Sequence, residues 1–184
     1  NSEYLLSLTG GETDGDANLH FPAFNWNNGG MVSNADAERW VKALAQWRTG
    51  NLALAAVYAS RTTQLPTAPF NATFNDNRSE TTDTRAWVEG RDDGQGRGGD
   101  LRARVAYDEY RDEGKLVQRL DPDVINEDRS KGTWWSGEVT YSRSLQDDLT
   151  VLVGAEVQSD LRNVQQNGDT EERGGRGIYS PYFY

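Results

Sequence analysis

The stretch Thr133–Val157, TWWSGEVTYSRSLQDDLTVLVGAEV, decides the fold class. Trp135, Gly137, Val139 and Tyr141 alternate with Trp134, Ser136, Glu138, Thr140 and Ser142. After Gln146-Asp147-Asp148, Leu149, Val151, Val153, Ala155 and Val157 alternate with Thr150, Leu152, Gly154, Glu156 and Gln158. A period of two over this length predicts two strands joined by a tight turn, each with one apolar and one polar side. Each arm has the roughly 9–11 residues that a tilted membrane-crossing strand needs. A soluble hairpin alternates in the same way, so the stretch by itself leaves water and lipid open.

Composition narrows the choice. The 184 residues are 35% hydrophobic and carry a formal net charge of −10. Their mean hydropathy of −0.82 is low for a well-buried globular core. No run approaches the ~18 apolar residues of a membrane helix. Six Trp, eight Tyr and five Phe argue against disorder, which usually lacks aromatics. A transmembrane barrel reconciles these values, because only alternate residues face lipid and polar loops dilute the rest. The acidic balance and the lack of a basic patch argue against nucleic acid and anionic lipid surfaces as partners. With no cysteine there is no disulfide framework or thiolate metal site. The chain opens on Asn1 and closes on Tyr182-Phe183-Tyr184, so both ends are expected to continue in a longer protein.

Further alternating runs cover residues 3–11, Leu52–Ser60, Arg85–Arg91 and Leu101–Asp108, and Ile178–Tyr184 begins another. Ser33–Trp47 is in conflict: Ser33 or Asn34 suits a helix cap, and Ala37, Trp40, Val41, Leu44 and Trp47 share a helical face. Read as a strand, Val41, Ala43, Ala45 and Trp47 oppose Trp40, Lys42, Leu44 and Gln46. Local signals favour the helix slightly. Tight turns are expected at Thr49–Asn51, Asp93–Gly99 and Gln146–Asp148, and long polar loops over Gly11–Asp36, Gln64–Asp83, Glu113–Lys131 and Asn163–Gly177. Alternation of short and long connections is how outer-membrane barrels are built. Arg85, Glu89, Arg91, Arg102, Arg104 and Asp108 share one face, which would line a lumen, since Arg facing lipid at mid-depth costs about 2–4 kcal/mol. Trp47, Tyr58, Tyr107, Trp135 and Tyr141 sit near strand ends on the apolar face, as a girdle would.

Candidate chemistry is sparse. His20 has no clustered ligands for a metal. Asp14-Gly15-Asp16-Ala17-Asn18 lacks the glycine and closing Glu of a calcium loop, and Asp121-Pro122-Asp123 with Glu127-Asp128 reads as a solvated acidic loop. Asn71-Ala72-Thr73 and Asn77-Arg78-Ser79 match the glycosylation triplet, which occurs by chance. No Gly-x-Ser-x-Gly motif is present, so the expectation is binding and passage with no catalysis, cofactor or metal. The ligand-binding candidates are the loop aromatics Phe21, Phe24, Trp26, Phe70 and Phe74, which either display a binding surface or pack on each other to order the loops.

The most specific stretch is Tyr58–Trp87, YASRTTQLPTAPFNATFNDNRSETTDTRAW. It resembles a segment of TonB-dependent outer-membrane receptor barrels, in which a Tyr-x-x-Arg-Thr strand end leads to a Pro-Thr-Ala loop. A Phe-Asn-Asp element and a Thr-Thr-Asp-x-Arg-Ala strand start follow. Here these are Tyr58, Arg61-Thr62, Pro66–Ala68, Phe74–Asp76 and Thr81–Ala86. Gly132–Trp135, Gly154–Glu156 and Gly177–Tyr179 look like later strands of the same family. The resemblance implies that Val41–Trp47 is a strand. It implies that 1–184 is a partial receptor barrel: an all-β antiparallel up-and-down meander, roughly seven to eight strands of a larger barrel, with no plug domain in this chain. It further implies a bacterial outer-membrane receptor for TonB-energised uptake of a scarce nutrient such as a ferric siderophore or cobalamin. The partners so implied are outer-membrane lipid, a plug domain, the TonB complex and the small-molecule nutrient. A passive porin-like or structural barrel is the alternative, and a secreted carbohydrate-binding β-sandwich a further one.

Overall fold

The computed structural model describes residues 1–96, 98–119, 123–146, 149–171 and 182–183. Ten strands are present: β1 (Ser2–Thr13), β2 (Leu19–His20), β3 (Met31–Val32), β4 (Glu38–Thr49), β5 (Leu52–Gln64), β6 (Glu80–Gly96), β7 (Gly99–Gln118), β8 (Val124–Gln146), β9 (Leu149–Glu171) and β10 (Tyr182–Phe183). β1 and β4–β10 form one antiparallel sheet in sequence order, and β2 pairs with β3 in a separate small ribbon. The chain is therefore an all-β up-and-down meander. Ser33–Trp47 resolves as strand, since Glu38–Thr49 pairs on both sides, with β1 and with β5. Two rows of cross-strand hydrogen bonds outweigh the local helix signals there.

Three expected loops and turns are corrected. The glycine-rich Asp93–Gly99 segment is mostly ladder, because β6 and β7 pair out to Gly96 and Gly99. Glu113–Lys131 is mostly strand, with β7 running to Gln118 and β8 starting at Val124. Asn163–Gly177 is strand as far as Glu171. In each case polar side chains on both faces hid a two-stranded extension whose backbone bonds are satisfied by a neighbouring strand. The long connections that remain are 14–37 and 65–79. The turn residues Asp147 and Asp148, the loop residues Asp121 and Pro122, and most of the expected Ile178–Tyr184 strand lie outside the described residues. Of that strand, Tyr182–Phe183 pairs with Gln166–Asn167 of β9.

The register puts every apolar run on one face. The row through the middle of β1 reads Leu6, Ala45, Ala56, Val88, Tyr107, Trp135, Ser159. Two residues away, a second reads Tyr4, Trp47, Leu54, Gly90, Val105, Gly137, Val157. The apolar band does not follow these rows. Leu6 is the centre of β1's apolar run, whereas its row meets β9 at Ser159, five residues from Gly154 at the centre of Val151–Val157. Five residues of drift over six inter-strand steps is about 17 Å in about 29 Å, which sets the strands about 30° from the normal to the band.

This face is not covered. Tyr4, Leu6 and Leu8 are 74–86% exposed, and Val88, Val105, Val153 and Val157 are all more than half exposed. Among the described residues the buried apolar side chains are Val32, Ala35, Ala72, Phe74, Ala106 and Val117, most of them in the loops. Among the described residues no second layer packs against the sheet.

Candidate functional site

The opposite face is polar and internally paired. Arg104 Nε donates to Glu89 at 2.6 Å, and Asp93 receives Arg102 at 2.6 Å and Arg91 at 3.0 Å. Higher on the wall Arg61 meets Glu38 at 2.5 Å and Arg85 meets Asp83 at 3.5 Å. Partly solvated pairs of this kind contribute little stability each, and in a row they make a hydrated, charge-balanced surface. Above them the wall turns acidic. Asp112, beyond the end of the apolar band on β7, has its carboxyl raised above the ordinary range by partial burial and then by Asp83, Asp128 and Glu113.

Aromatic rings interrupt this wall. The cross-strand row Val57, Trp87, Asp108, Trp134, Asp160 alternates indole and carboxylate on successive strands. One row nearer the long loops stand Arg85, Tyr110 and Gly132, with the Arg85 guanidinium 5.1 Å from the Tyr110 ring centre. A Cβ at Gly132 would lie 3.5 Å from the Trp134 ring, in ordinary contact with it. A groove of about 470 Å³ is lined in part by Val57, Arg85, Trp87, Asp108, Tyr110 and Trp134. Sequence alternation put Trp87, Asp108 and Trp134 on the polar face but gave no sign that they share a row.

The loop aromatics divide. Phe74 is 4% exposed, stacked on Phe24 at 4.4 Å and edge-on to Phe21 at 6.2 Å. With Val32, Ala35, Leu19 and Ala68 they form a small core that fastens the 14–37 loop to the 65–79 loop. Thus Phe21, Phe24 and Phe74 order the loops. Trp26 and Phe70 remain outside, 78% and 84% exposed. Phe70 sits at φ +54°, followed by Asn71 at +66°. Left-handed backbone is unfavourable for a bulky side chain, so this turn is strained.

A second device ties the 65–79 loop to the sheet. Asp76 is buried and accepts Arg78 Nε at 3.0 Å, Arg78 Nη2 at 2.8 Å and the Arg78 backbone N–H at 3.0 Å. Arg78 Nη2 also reaches Asp123 at 2.8 Å. The Arg78 hydrogen bonds hold the Asp76 carboxyl below its ordinary range against the opposing effect of burial, with help from Arg119. Val117 N–H donates to the Ser79 hydroxyl, and Thr73 N–H to the Val117 carbonyl, so the loop lies against the end of β7.

The remaining candidates serve local structure. His20 Nε2 bonds the Asn25 side chain at 2.9 Å. Asp16 accepts the Asn18 N–H, and Asp36 accepts the Asp16 N–H, both at 2.9 Å, so these carboxylates close turns. Among the described residues no group of three His, Cys, Asp or Glu side chains is arranged to hold a metal.

Comparisons with family models, curated proteins and solved structures return no match. The functional reading therefore rests on the wall itself and on the residues that carry the sequence resemblance.

Proposed function

We propose that this chain is part of the wall of an outer-membrane β-barrel receptor that takes up a small-molecule nutrient. The observation that carries the reading is the seven-strand apolar band with nothing packed on it. Each Val or Leu that moves from water into an apolar medium gains about 1.5–3 kcal/mol, and the band presents more than a dozen such side chains. Soluble proteins seldom leave a patch of this extent open. A bilayer covers it.

Three further features support lipid as the cover. The band's inclination of about 30° is close to the 35–45° tilt of strands in outer-membrane barrels. Aromatics collect at its two margins: Tyr58, Tyr107 and Trp135 toward the long loops, Tyr4, Trp47 and Tyr141 toward the tight turns, with aliphatic residues and glycine between. Tyr107 and Trp135 pack at 5.0 Å between ring centres. Outside the margins the same face becomes charged, with Glu109 paired to Arg111 at 2.6 Å and to Lys131 at 3.2 Å on one side, and Arg143 beyond Tyr141 on the other. Two aromatic girdles around an aliphatic belt are the interfacial pattern of bilayer-spanning barrels.

The long-loop end then faces outward, the tight turns face the periplasm, and the ion-paired face lines the lumen. Energisation by TonB, a plug domain, and a ferric siderophore or cobalamin as cargo belong to this proposal through the Tyr58–Trp87 resemblance. Fractionation of cells making the full-length protein tests the membrane part: recovery in the aqueous phase without detergent overturns it. Uptake that continues after the proton gradient is collapsed would replace active transport with a passive, porin-like route.

A further inference from the structure

We propose that the Trp87–Asp108–Trp134–Asp160 row is a subsite for an organic cation, an ammonium- or guanidinium-bearing part of the ligand, at the outward end of the lumen wall. The inference rests on the barrel reading for its place in transport, and on the row's own chemistry for its ligand. Trp87 and Trp134 stand two strands apart, roughly 10 Å by sheet spacing, with the Asp108 carboxylate between them and Asp160 beyond. Indole rings attract cations to their faces through the ring quadrupole, and a carboxylate alongside adds its full charge.

The shelf already holds one cation at its margin. The Arg85 guanidinium lies over Tyr110 at 5.1 Å, while among the described residues no Lys or Arg lies over Trp87 or Trp134. Asp108 and Asp160 likewise have no ion-pair partner within 4 Å among the described residues, unlike the paired carboxylates lower on the wall. Asp160 accepts one hydrogen bond, from Gln158 at 2.9 Å. The groove in front, about 470 Å³, shares Tyr110 and Trp134 with a second of about 450 Å³ bordered by Lys131, Gln158, Asp160, Arg162, Asn163 and Gln165. Of the basic residues that border the two grooves, Arg85 is engaged with Asp83 and Tyr110 and Lys131 with Glu109, whereas a cation on the row meets two carboxylates without an ion-pair partner and two indoles with no Lys or Arg over them among the described residues.

Equilibrium dialysis of the full chain in detergent with choline, and with its neutral isostere 3,3-dimethylbutan-1-ol at matched ionic strength, tests the assignment. Saturable choline binding is expected, at least about tenfold tighter than the isostere. Trp134→Ala should abolish it, the isosteric Asp108→Asn should weaken it about tenfold, and Ser2→Ala at the far edge of the sheet should leave it unchanged. Circular dichroism on each variant separates lost binding from lost folding, and Asp108→Asn carries the test if Trp134→Ala does not fold. Equal binding of the isostere would make the row an apolar groove and overturn the proposal, as would no saturable binding or full binding by a folded Asp108→Asn. Choline binding by a chain recovered in the aqueous phase would retain the ligand assignment and refute the barrel. A membrane-embedded chain without choline binding would do the reverse.

Discussion

Val139 is the position at which the lipid-facing assignment is most exposed to refutation. It sits inside the Trp135–Tyr141 run of β8, flanked in its row by Ala103 and Ala155, and is 43% exposed on the apolar face. Val139→Arg places a guanidinium near mid-depth, at a cost of about 2–4 kcal/mol. At 1.4 kcal/mol per tenfold, that shifts the folding equilibrium roughly 30- to 800-fold. Thr140, the next residue, points to the ion-paired wall, where its hydroxyl donates to Glu138 at 3.3 Å and Glu138 faces Glu156 across the ladder. An Arg there meets two carboxylates on one side and Arg102 on the other, so Thr140→Arg is expected within about 0.5 kcal/mol of the parent.

Val151 gives the depth dependence. Alternation alone marks it as lipid-facing, but the register sets it opposite Arg143, at the tight-turn margin. Val151→Arg should cost only about 0–1 kcal/mol, the value for an interface. Urea titrations of the protein in phospholipid vesicles, followed by tryptophan fluorescence and by heat-modifiable electrophoretic mobility, measure all three. The expected order of cost is Val139→Arg, then Val151→Arg, then Thr140→Arg. Equal cost at Val139 and Thr140 refutes the orientation of the sheet, and a mid-depth cost at Val151 refutes the position of the band.

The loops provide three more tests. Phe74→Ala removes the ring that joins the two long loops, costing about 3 kcal/mol of local stability, and limited proteolysis should then cut 14–37 and 65–79 while the strands stay resistant. Phe70→Gly should instead slow hydrogen exchange in 65–79, with a gain of about 1 kcal/mol, because glycine relieves the left-handed strain and the exposed ring contributes no packing. The Asp76 carboxyl is depressed in the folded loop, so its contribution is complete above the unfolded carboxylate value, about 3.9, and is lost as pH falls through the folded value. Proteolytic protection of 65–79 should therefore fall below about pH 4, and Asp76→Asn should be less protected at neutral pH and insensitive to acid.

The fold was legible where one face was apolar and the other polar. Leu52–Tyr58, Leu101–Tyr107 and Trp135–Tyr141 announce themselves because alternate side chains meet different surroundings, and the register keeps them in one band. The same logic explains the errors. In Glu113–Lys115 and Glu127–Lys131 both faces are polar, so period two vanishes although the ladder continues, Glu113 opposite Arg129 and Lys115 opposite Glu127. Hydropathy reports the environment on either side of a strand and is silent where both sides are the same. At Ser33–Trp47 the converse held: Val41 and Trp47 fitted either period, and the decision lay with β1 and β5, far away in sequence.

The candidate site follows from the same limit. Loop aromatics stood out because aromatic residues in a polar loop are conspicuous, yet three of the five are internal, as buried rings end in contact with each other more cheaply than with water. Trp87 and Trp134 drew no notice, each being one residue among the polar half of an alternating strand. What makes them a shelf is that Trp87 pairs with Asp108 and Asp108 with Trp134, and this depends on the register of the β6–β7 and β7–β8 hairpins. A shift of one residue in either hairpin would turn an indole to the apolar face. The band constrains that shift strongly, since the same slip would carry Arg104 or Glu138 into the apolar face. The apolar face thus fixes the register, and the register in turn assembles the polar one: the valines and alanines of one face position the tryptophans of the other without touching them.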